Sequence, residues 1–250
     1  MDRRKRIETD LAPASAGYRS NAMTAAGFVF TSGHIGAPIS TPESRAVPAE
    51  TLEEQVDLVL NHMRTLVLAG GGKMDRVVEV SSFIVPFEQS EIVSERTRAF
   101  LGYVPPLYHT EPVADVALHG MLEIDGIAVT DPSLSMEQAV DILRPFGQHE
   151  GVIRSGPFVI LNGMTAPGAN LGAQTRNLLL QADIQLRAAG TSLANLVKIT
   201  VYISDFETYP QFNDATKELF ATFDPPTRSV LVAPRITAGS LLRVNLLALG

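Results

Sequence analysis

The hydrophobic residues of this chain recur with two periods, one typical of strands and one typical of helices. Residues 197–203 (VKITVYI) alternate polar with apolar side chains and are rich in β-branched residues, which predicts a β-strand. Ser204-Asp205 then offers a helix N-cap, and a helical pattern follows over 206–221. Asp224-Pro225-Pro226 ends this helix, because proline cannot continue a helix and restricts the residue before it.

Arg228 lies where the chain leaves these prolines and enters the next predicted strand, which begins at Ser229. Two adjacent prolines make the preceding loop rigid, and functional side chains are often presented from loops on a rigid scaffold. Arg228 is therefore the first candidate for a binding or catalytic residue.

The same two periods extend along the whole chain and give each half the order β-β-α-β-α-β-β. In the first half they predict strands over 17–24, 28–32, 76–84, 113–118 and 121–129, a helix from Thr51 to Gly70, and a helix over 87–101. In the second half they predict hairpin strands within 150–163, helices over 173–189 and 206–221, and strands over 196–203, 228–234 and 241–249. Residues 34–50 hold three prolines and are predicted to form a loop, a candidate lid or contact arm.

The two halves also resemble each other residue by residue. The matching positions are Gln55, Gly71, Phe83-Ile84 and Pro105-Pro106 in the first half and Gln174, Gly190, Tyr202-Ile203 and Pro225-Pro226 in the second. A repeat this long indicates a duplicated domain, since solenoid units are much shorter. We predict an α+β fold of two tandem domains, each a mixed sheet with two helices on one face. The expected boundaries are a lead-in at 1–16, a first domain at 17–131, a linker at 132–148 with a helix from Met136 to Leu143, and a second domain at 149–250.

A sheet covered by helices on one side must hide its other side elsewhere. Val201, Ile203, Val230 and Val232 alternate with polar residues and are candidates for that second face. They predict association through sheet faces, between repeats or between subunits. The alternative is that these four residues face the helices and form an ordinary core.

Composition narrows the class of protein. The chain is 45% hydrophobic and 19% charged, with a net charge of −7 and no cysteine, which argues against a nucleic-acid partner and excludes disulfides and thiolate sites. No apolar run is long enough to span a membrane and no secretory signal is present, so a cytoplasmic protein is expected. The basic run Arg3 to Arg6 is interpreted as a solvated tail. His34, His109 and His119 lack metal-ligand spacing, so no metal is expected.

Several of these motifs together resemble one known family. Ser32-Gly33, the helix with Gln55, VKITVYISDF, the Phe212-Asn213 pair and PPTRS are similar to the reactive-intermediate deaminase (Rid) superfamily, some members of which carry the older label of endoribonuclease. The resemblance covers almost the whole chain, twice over. It implies a chorismate-mutase-like α+β fold, rings of three domains with ligand clefts between neighbours, and hydrolysis of enamines or imines such as 2-aminoacrylate without a cofactor.

The site residues that the resemblance implies are divided between the two repeats. Arg228 fits the arginine that grips a substrate carboxylate and Asn213 fits the helix asparagine, but Arg243 stands where the last strand should carry a glutamate. In the first repeat the glutamate position holds Glu123 and the arginine position holds Tyr108. Tyr18 and Ser20 lie near the family's early tyrosine and serine, so the resemblance implies that they line the cleft and bind substrate together with Asn213, Tyr108 and the two arginines.

The residue types support a site for a small carboxylate. A guanidinium binds a carboxylate through two parallel hydrogen bonds, so Arg228 and Arg243 in one cleft would suit a dianion. Glu123 can act as a general base or hold a water. The alternatives are a structural ion pair for Arg228, a solvated or acid-paired side chain for Arg243, and an exposed strand residue for Glu123.

The leading hypothesis is an enamine or imine deaminase of the 2-aminoacrylate or 2-aminomuconate class. A non-catalytic small-anion-binding or scaffold protein is the alternative, because neither repeat carries both the arginine and the glutamate. Ribonuclease activity is disfavoured by the acidic charge balance. Since two domains cannot close a ring of three, we predict a homotrimer with two stacked rings. In that assembly Arg228, Arg243 and Asn213 belong to a ring of second repeats, and Tyr108 and Glu123 to a ring of first repeats.

Overall fold

The computed structural model describes residues 4–13, 17–39, 46–148, 150–237 and 239–250, which form two β-sheets. The strands of the first sheet are β1 (Lys5–Ile7), β2 (Ala22–Ala25), β3 (Phe28–Thr31), β4 (His34–Ile35), β5 (Val77–Ile84), β6 (Leu107–Pro112) and β7 (Leu122–Val129). Their order is β1-β2-β3-β7-β5-β6, and β4 also pairs with β7. β5 and β6 run parallel, while the other neighbours are antiparallel.

Two helices cover one face of this sheet, α1 (Leu52–Ala69) and α2 (Ser90–Leu101). The side chain of Thr51 accepts from the backbone N–H of Glu54 and the Glu54 carboxylate accepts from that of Thr51, which forms the expected capping box. The predicted apolar stripe of α1 is buried against the sheet through Val56, Val59, Leu60, Met63, Leu66 and Val67. Helical periodicity therefore located this layer correctly.

The second sheet repeats the arrangement. Its strands are β8 (Gly151–Ser155), β9 (Phe158–Met164), β10 (Leu196–Ile203), β11 (Thr227–Val232) and β12 (Leu242–Leu249), in the order β11-β10-β12-β9-β8. α4 (Leu171–Ala188) and α5 (Tyr209–Leu219) lie on one face, and α3 (Met136–Leu143) connects the two units with the predicted bounds. The fold is therefore α+β, with two similar domains in tandem.

The four residues predicted to form the helix-free face of the second sheet lie on its helix-covered face instead. Val201, Ile203, Val230 and Val232 belong to the core under α4 and α5, so the alternative interpretation, that they face the helices, is the right one. Strand periodicity separates the two faces of a strand, but it does not say which face the helices cover.

The faces free of helices pack against each other, which joins the two repeats. Phe28 and Phe30 of the first sheet and Phe158 of the second form a cluster with ring centroids 5.7–6.0 Å apart. Ala139, Val140 and Leu143 of α3 close one side of the same core, which also contains Met23, Ala25, Val78, Leu107, Ile127, Val129, Ile160, Val197 and Leu247. The predicted association through sheet faces therefore occurs between the repeats of one chain.

Some local predictions were wrong or fall outside the description. The strand expected at 113–118 is β6, which lies at 107–112 because its hydrogen bonds to β5 begin at Leu107. Residues 40–45 of the predicted lid or contact arm lie outside the described residues, and its role stays a prediction. The lead-in contributes β1, which pairs with β2.

The basic N-terminal run is not simply a solvated tail. Nη1 of Arg4 donates to the carbonyl of Leu196 at 2.8 Å and Nη2 donates to that of Asp224 at 2.5 Å, while the guanidinium lies 5.6 Å from the Phe223 ring centroid. This side chain therefore ties the start of the chain to the second repeat. Within the described residues, no helix has the length and apolar character needed to cross a membrane.

Candidate functional site

The edge strand β11 of the second repeat runs beside the first-repeat segment 17–33. The backbone N–H of Ser20 donates to the carbonyl of Pro226 at 3.2 Å, and that of Gly33 donates to the carbonyl of Arg228 at 3.2 Å. In return, the backbone N–H of Arg228 donates to Oγ of Ser32 at 2.8 Å. Arg228 is therefore fixed at the boundary between the repeats of one chain.

The Arg228 side chain is held by α5 and by the first repeat. It is 2% exposed, and its Nη2 donates to the Tyr209 hydroxyl at 2.5 Å while its Nη1 donates to the Tyr18 carbonyl at 3.3 Å. The guanidinium lies 5.3 Å from the Phe212 ring centroid, and its Nε has no hydrogen-bond partner among the described residues. Burial lowers the pKa of Arg228 to about 10, so the group is still a cation at neutral pH.

Asn213 lies against the same guanidinium, in the buried region between the repeats that we call the Arg228 cleft. Its Oδ1 accepts from the backbone N–H of Tyr18 at 2.8 Å and lies 3.5 Å from Nη2 of Arg228. Gly17 adopts a φ of +81°, and a Cβ on it would overlap Asn213, Tyr209 and Arg228. Glycine is required here, because the first-repeat segment passes directly over the guanidinium.

Glu123 lies on β7 of the first repeat, close enough to Arg228 and Arg19 for its charge to raise the pKa of each. It is 4% exposed, and a Cβ at Gly33 would overlap its carboxylate and approach Oγ of Ser229 within 2.7 Å. Burial raises the pKa of Glu123 to about 7, an effect opposed chiefly by the Arg19 guanidinium and also by the backbone N–H of Val230. Glu123 is therefore poised to change protonation state near neutral pH.

Arg19 lies between these two charged groups. Its Nη1 donates to the carbonyl of Gly33 at 2.5 Å and to that of Arg228 at 3.1 Å. Its charge also favours the ionised form of Glu123 and opposes the protonated form of Arg228. Sequence reasoning missed Arg19, although its place between Tyr18 and Ser20 was a signal that an adjacent side chain could point into the cleft.

Tyr18 and Ser20 have structural roles rather than the predicted lining roles. The Tyr18 hydroxyl donates to the carbonyl of Phe220 at 3.1 Å, so this residue contributes backbone atoms to the cleft. Oγ of Ser20 donates to the carbonyl of Pro225 at 2.5 Å and helps to join the repeats.

A buried ion pair supports the floor of the cleft. Asp125, two residues after Glu123 on β7, accepts from Oγ of Ser229 at 2.6 Å through Oδ2. Its Oδ1 lies 2.7 Å from Nζ of Lys198, and both side chains are almost fully buried. The pair connects β7 of the first repeat to β10 and β11 of the second.

Two predicted site residues, Arg243 and Tyr108, lie away from Arg228. Arg243 stacks on Tyr202 with its guanidinium 4.4 Å from the ring centroid, in a separate cavity between the sheets. Tyr108 is on β6 at the far edge of the first sheet, with its hydroxyl 3.3 Å from Oγ of Ser94. Arg228 is close enough to Glu123 of the first repeat for the Glu123 charge to raise its pKa, because the two repeats of one chain are neighbours. The predicted rings made of one kind of repeat stay a prediction. The homotrimer itself stays a prediction.

The described residues include no group of three or more His, Asp or Glu side chains arranged to hold a metal ion. The chemistry available in the cleft is that of a fixed guanidinium, a carboxylate with a pKa near neutrality, and the amide and hydroxyl groups that hold the guanidinium.

Comparison with known proteins agrees with this duplicated architecture. A family model described as endoribonuclease L-PSP matches the chain twice, over residues 9–130 and 139–249. The chain belongs to the endoribonuclease L-PSP family. Each L-PSP match covers one repeat, and the relatives include proteins named as reactive-intermediate deaminases, which confirms the resemblance seen in the sequence.

Individual L-PSP relatives match about half of this chain. The 2-iminobutanoate/2-iminopropanoate deaminase of Dermatophagoides farinae is 29% identical over 131 residues, which are 52% of this chain and 100% of the relative. Reactive Intermediate Deaminase A of Arabidopsis thaliana is 30% identical over 122 residues, which are 49% of this chain and 64% of the relative.

Solved structures show the same half-chain coverage. TdcF of E. coli, determined with bound serine, is 27% identical and covers 51% of this chain and 99% of its own, with a TM-score of 0.45. RidA of the Antarctic bacterium Psychrobacter is 26% identical and covers 50% of this chain and 98% of its own, with a TM-score of 0.46.

Proposed function

We propose that this protein hydrolyses a small carboxylate-bearing imine or enamine to a keto acid and ammonia. The observation that carries the proposal is the meeting of Arg228 and Glu123 from different repeats in one cleft, with Arg19 between them. The names of several relatives, which are deaminases of reactive intermediates or of 2-iminobutanoate and 2-iminopropanoate, support the same reaction class.

Arg228 would bind the substrate carboxylate. Its planar fork can donate two parallel hydrogen bonds to a carboxylate, and its unpartnered Nε is a donor already available for that purpose. The Tyr209 hydroxyl and the Asn213 amide hold the fork in place, so little conformational freedom remains to be lost on binding.

Glu123 would activate the water. With the imine nitrogen protonated, water adds to the C=N carbon while the Glu123 carboxylate accepts a proton from the water, which gives a neutral carbinolamine. Glu123 then returns this proton to the nitrogen as the C–N bond breaks, so that ammonia leaves. The remaining hydroxyl loses its proton to solvent and becomes the carbonyl of the keto acid. An enamine substrate enters this sequence after its tautomerisation to the imine. A pKa of about 7 suits a group that takes up and returns a proton near neutral pH.

Access to the cleft requires movement of the first-repeat segment around Gly17. Gly17 and Tyr18 lie over the guanidinium, which is 2% exposed. If the Tyr18 carbonyl moved away from Nη1 of Arg228, a substrate carboxylate could accept the hydrogen bond in its place. The proposed reaction cycle therefore includes opening and closure of this segment.

Ammonia release from freshly generated 2-aminoacrylate tests the proposal. Arg228→Lys keeps the charge but loses the fork, and we expect kcat/KM to fall about a hundredfold, which corresponds to about 3 kcal/mol. Arg176→Lys is the matched control, because Arg176 is an exposed arginine paired with Glu218 on the surface of the second repeat. Equal rates for wild type and Arg228→Lys would refute the binding role of Arg228.

A non-catalytic anion-binding protein remains the alternative function. The close cover over Arg228 supports it, because the guanidinium is 2% exposed and a bound anion would be held out of contact with water. Binding of pyruvate that is lost in Arg228→Lys, without hydrolysis of any imine offered, would establish the alternative.

A further inference from the structure

A second cavity, separate from the Arg228 cleft, lies between the two sheets and has a volume of about 310 Å³. This volume is at the lower end of the range of small-molecule sites, about 300–1,000 Å³. Strands β5 and β6 of the first repeat and β10 and β12 of the second form most of its walls. The charged and aromatic residues among them are Glu79, His109, Glu111, Lys198, Tyr202 and Arg243.

The two walls carry opposite charges at corresponding positions of the repeat. Glu79 on β5 corresponds to Lys198 on β10, since each follows a register irregularity at the start of its strand. Glu111 on β6 is the second acidic residue of the first-repeat wall, and Arg243 on β12 is the second basic residue of the second-repeat wall. The first repeat therefore presents an acidic wall to the cavity and the second repeat a basic one.

Part of this charge is already satisfied within the protein. Lys198 is paired with Asp125 at 2.7 Å, and Oε2 of Glu111 accepts from the Tyr202 hydroxyl at 2.8 Å. Burial lowers the pKa of His109, so its imidazole adds no charge at neutral pH. None of these interactions provides a partner of opposite charge for Glu79 or Arg243.

Glu79 and Arg243 are the two charged groups left without a strong partner. Glu79 is 4% exposed and accepts a long hydrogen bond of 3.4 Å from Ser81. Among the described residues, Arg243 has no ion pair and contacts the face of Tyr202 instead. Glu79 is buried, and a buried carboxylate is costly unless it is paired, whereas Arg243 is only partly buried and presents an available cation. A polar cavity of this size holds a ligand or water.

We propose that this cavity binds a small zwitterion, specifically a free α-amino acid. Its carboxylate pairs with the Arg243 guanidinium on the second-repeat wall, and its ammonium group pairs with Glu79 on the first-repeat wall. Both groups line the one cavity, and each supplies the charge that the other end of the ligand requires. The Phe83 and Tyr202 rings lie beside the space for a short side chain.

Isothermal titration calorimetry with glycine, L-serine, L-threonine and L-leucine tests the proposal on the full chain. We expect at least one of them to bind wild type and to bind Arg243→Gln and Glu79→Gln at least about tenfold more weakly, because each variant removes one charge-assisted contact. Arg228→Gln should retain the binding, since that residue belongs to the other cleft. Acetate and methylammonium, the two halves of glycine, should each bind at least about tenfold more weakly than the zwitterion that binds best.

Proton release gives an independent readout that a fold defect would not imitate. Burial raises the pKa of Glu79 to about 7, with Lys198 opposing and Asp125 adding to the effect, and Ser81 donating a hydrogen bond that opposes it. His109 also faces the cavity and is neutral. A ligand ammonium beside Glu79 favours its carboxylate, so binding at pH 6.5 should release protons in wild type and not in Glu79→Gln.

The outcomes separate this site from the proposed catalytic cleft. Binding that disappears in Arg228→Gln and persists in Arg243→Gln would place the amino acid in the cleft and overturn the proposal. So would the absence of heat with all four amino acids. If Arg243→Gln does not fold, the test rests on Glu79→Gln, which keeps the shape of the side chain. Wild-type affinity in Glu79→Gln, or the same proton release on binding in Glu79→Gln and wild type, would then overturn the proposal.

Discussion

Glu123→Gln should stabilise the protein while it abolishes most of the proposed activity. Glu123 is 4% exposed, and burial raises its pKa from 4.5 to about 7. Since each pH unit corresponds to about 1.4 kcal/mol, ionising this carboxyl in the folded state costs up to about 3 kcal/mol relative to the unfolded chain. Glutamine resembles the protonated acid in shape and cannot ionise, so it avoids that cost.

The sign follows from proton binding in the two states. Between pH 4.5 and about 7 the folded protein retains the Glu123 proton that the unfolded chain has lost. The contribution of Glu123 to stability is therefore fully present below pH 4.5 and is lost as the pH rises through about 7. Glu79, whose pKa burial also raises to about 7, gives a second loss over the same interval. Burial lowers the pKa values of His34, His62 and His109, so these residues give an opposing gain as the pH rises, and the effect of Glu123 is the difference between the Glu123→Gln and wild-type pH profiles.

Urea unfolding followed by far-UV circular dichroism at pH 5, 6, 7 and 8 measures this effect, since the chain contains no tryptophan. Ammonia release by the same variant should fall about 10²–10⁴-fold, because glutamine cannot accept a proton from water. Glu218→Gln, at an exposed surface ion pair, is the matched control for both measurements. A decline with pH that is the same in Glu123→Gln and wild type would refute the assignment of the raised pKa to Glu123.

The remaining predictions concern the groups around the cleft and the assembly. In a pH–rate profile, the kcat/KM of wild type should rise with pH through about 7 as Glu123 ionises. Arg19→Met should shift this rise to higher pH, because the Arg19 charge favours the Glu123 carboxylate, and a rise at the same pH in both proteins would contradict that role. Lys198→Met should cost about 3–5 kcal/mol in urea unfolding, since it leaves Asp125 buried without its cation, and Lys198→Met combined with Asp125→Asn should recover most of the loss. Gly17→Ala should loosen the segment that covers Arg228, because the φ of +81° and the neighbouring side-chain atoms leave no room for a Cβ. Proteolytic resistance around Gly17 that is the same in this variant and wild type would contradict that prediction. Light scattering tests the predicted homotrimer, and a monomer mass at micromolar concentration would rule it out.

Local sequence determined most of the secondary structure. Thr51 and Glu54 marked the start of α1, and α3 has the predicted bounds, because capping and helical periodicity depend on residues only a few positions apart. The repeat established two similar domains, and the prolines before Arg228 marked a functional candidate. Each predicted domain has a hydrophobic core of its own beneath its two helices.

Only the tertiary structure decided how the site is assembled. Each repeat lacks one member of the Arg–Glu pair, and the cleft is complete because β11 of the second repeat runs beside residues 17–33 of the first. The contact between Arg19 and the Arg228 carbonyl joins residues far apart in the chain, and no local pattern encodes such a pairing. For the same reason, the strand pattern could not say that Arg243 faces a different cavity from Arg228. The alternation of side chains specifies two faces, whereas the packing of the two sheets determines what each face meets.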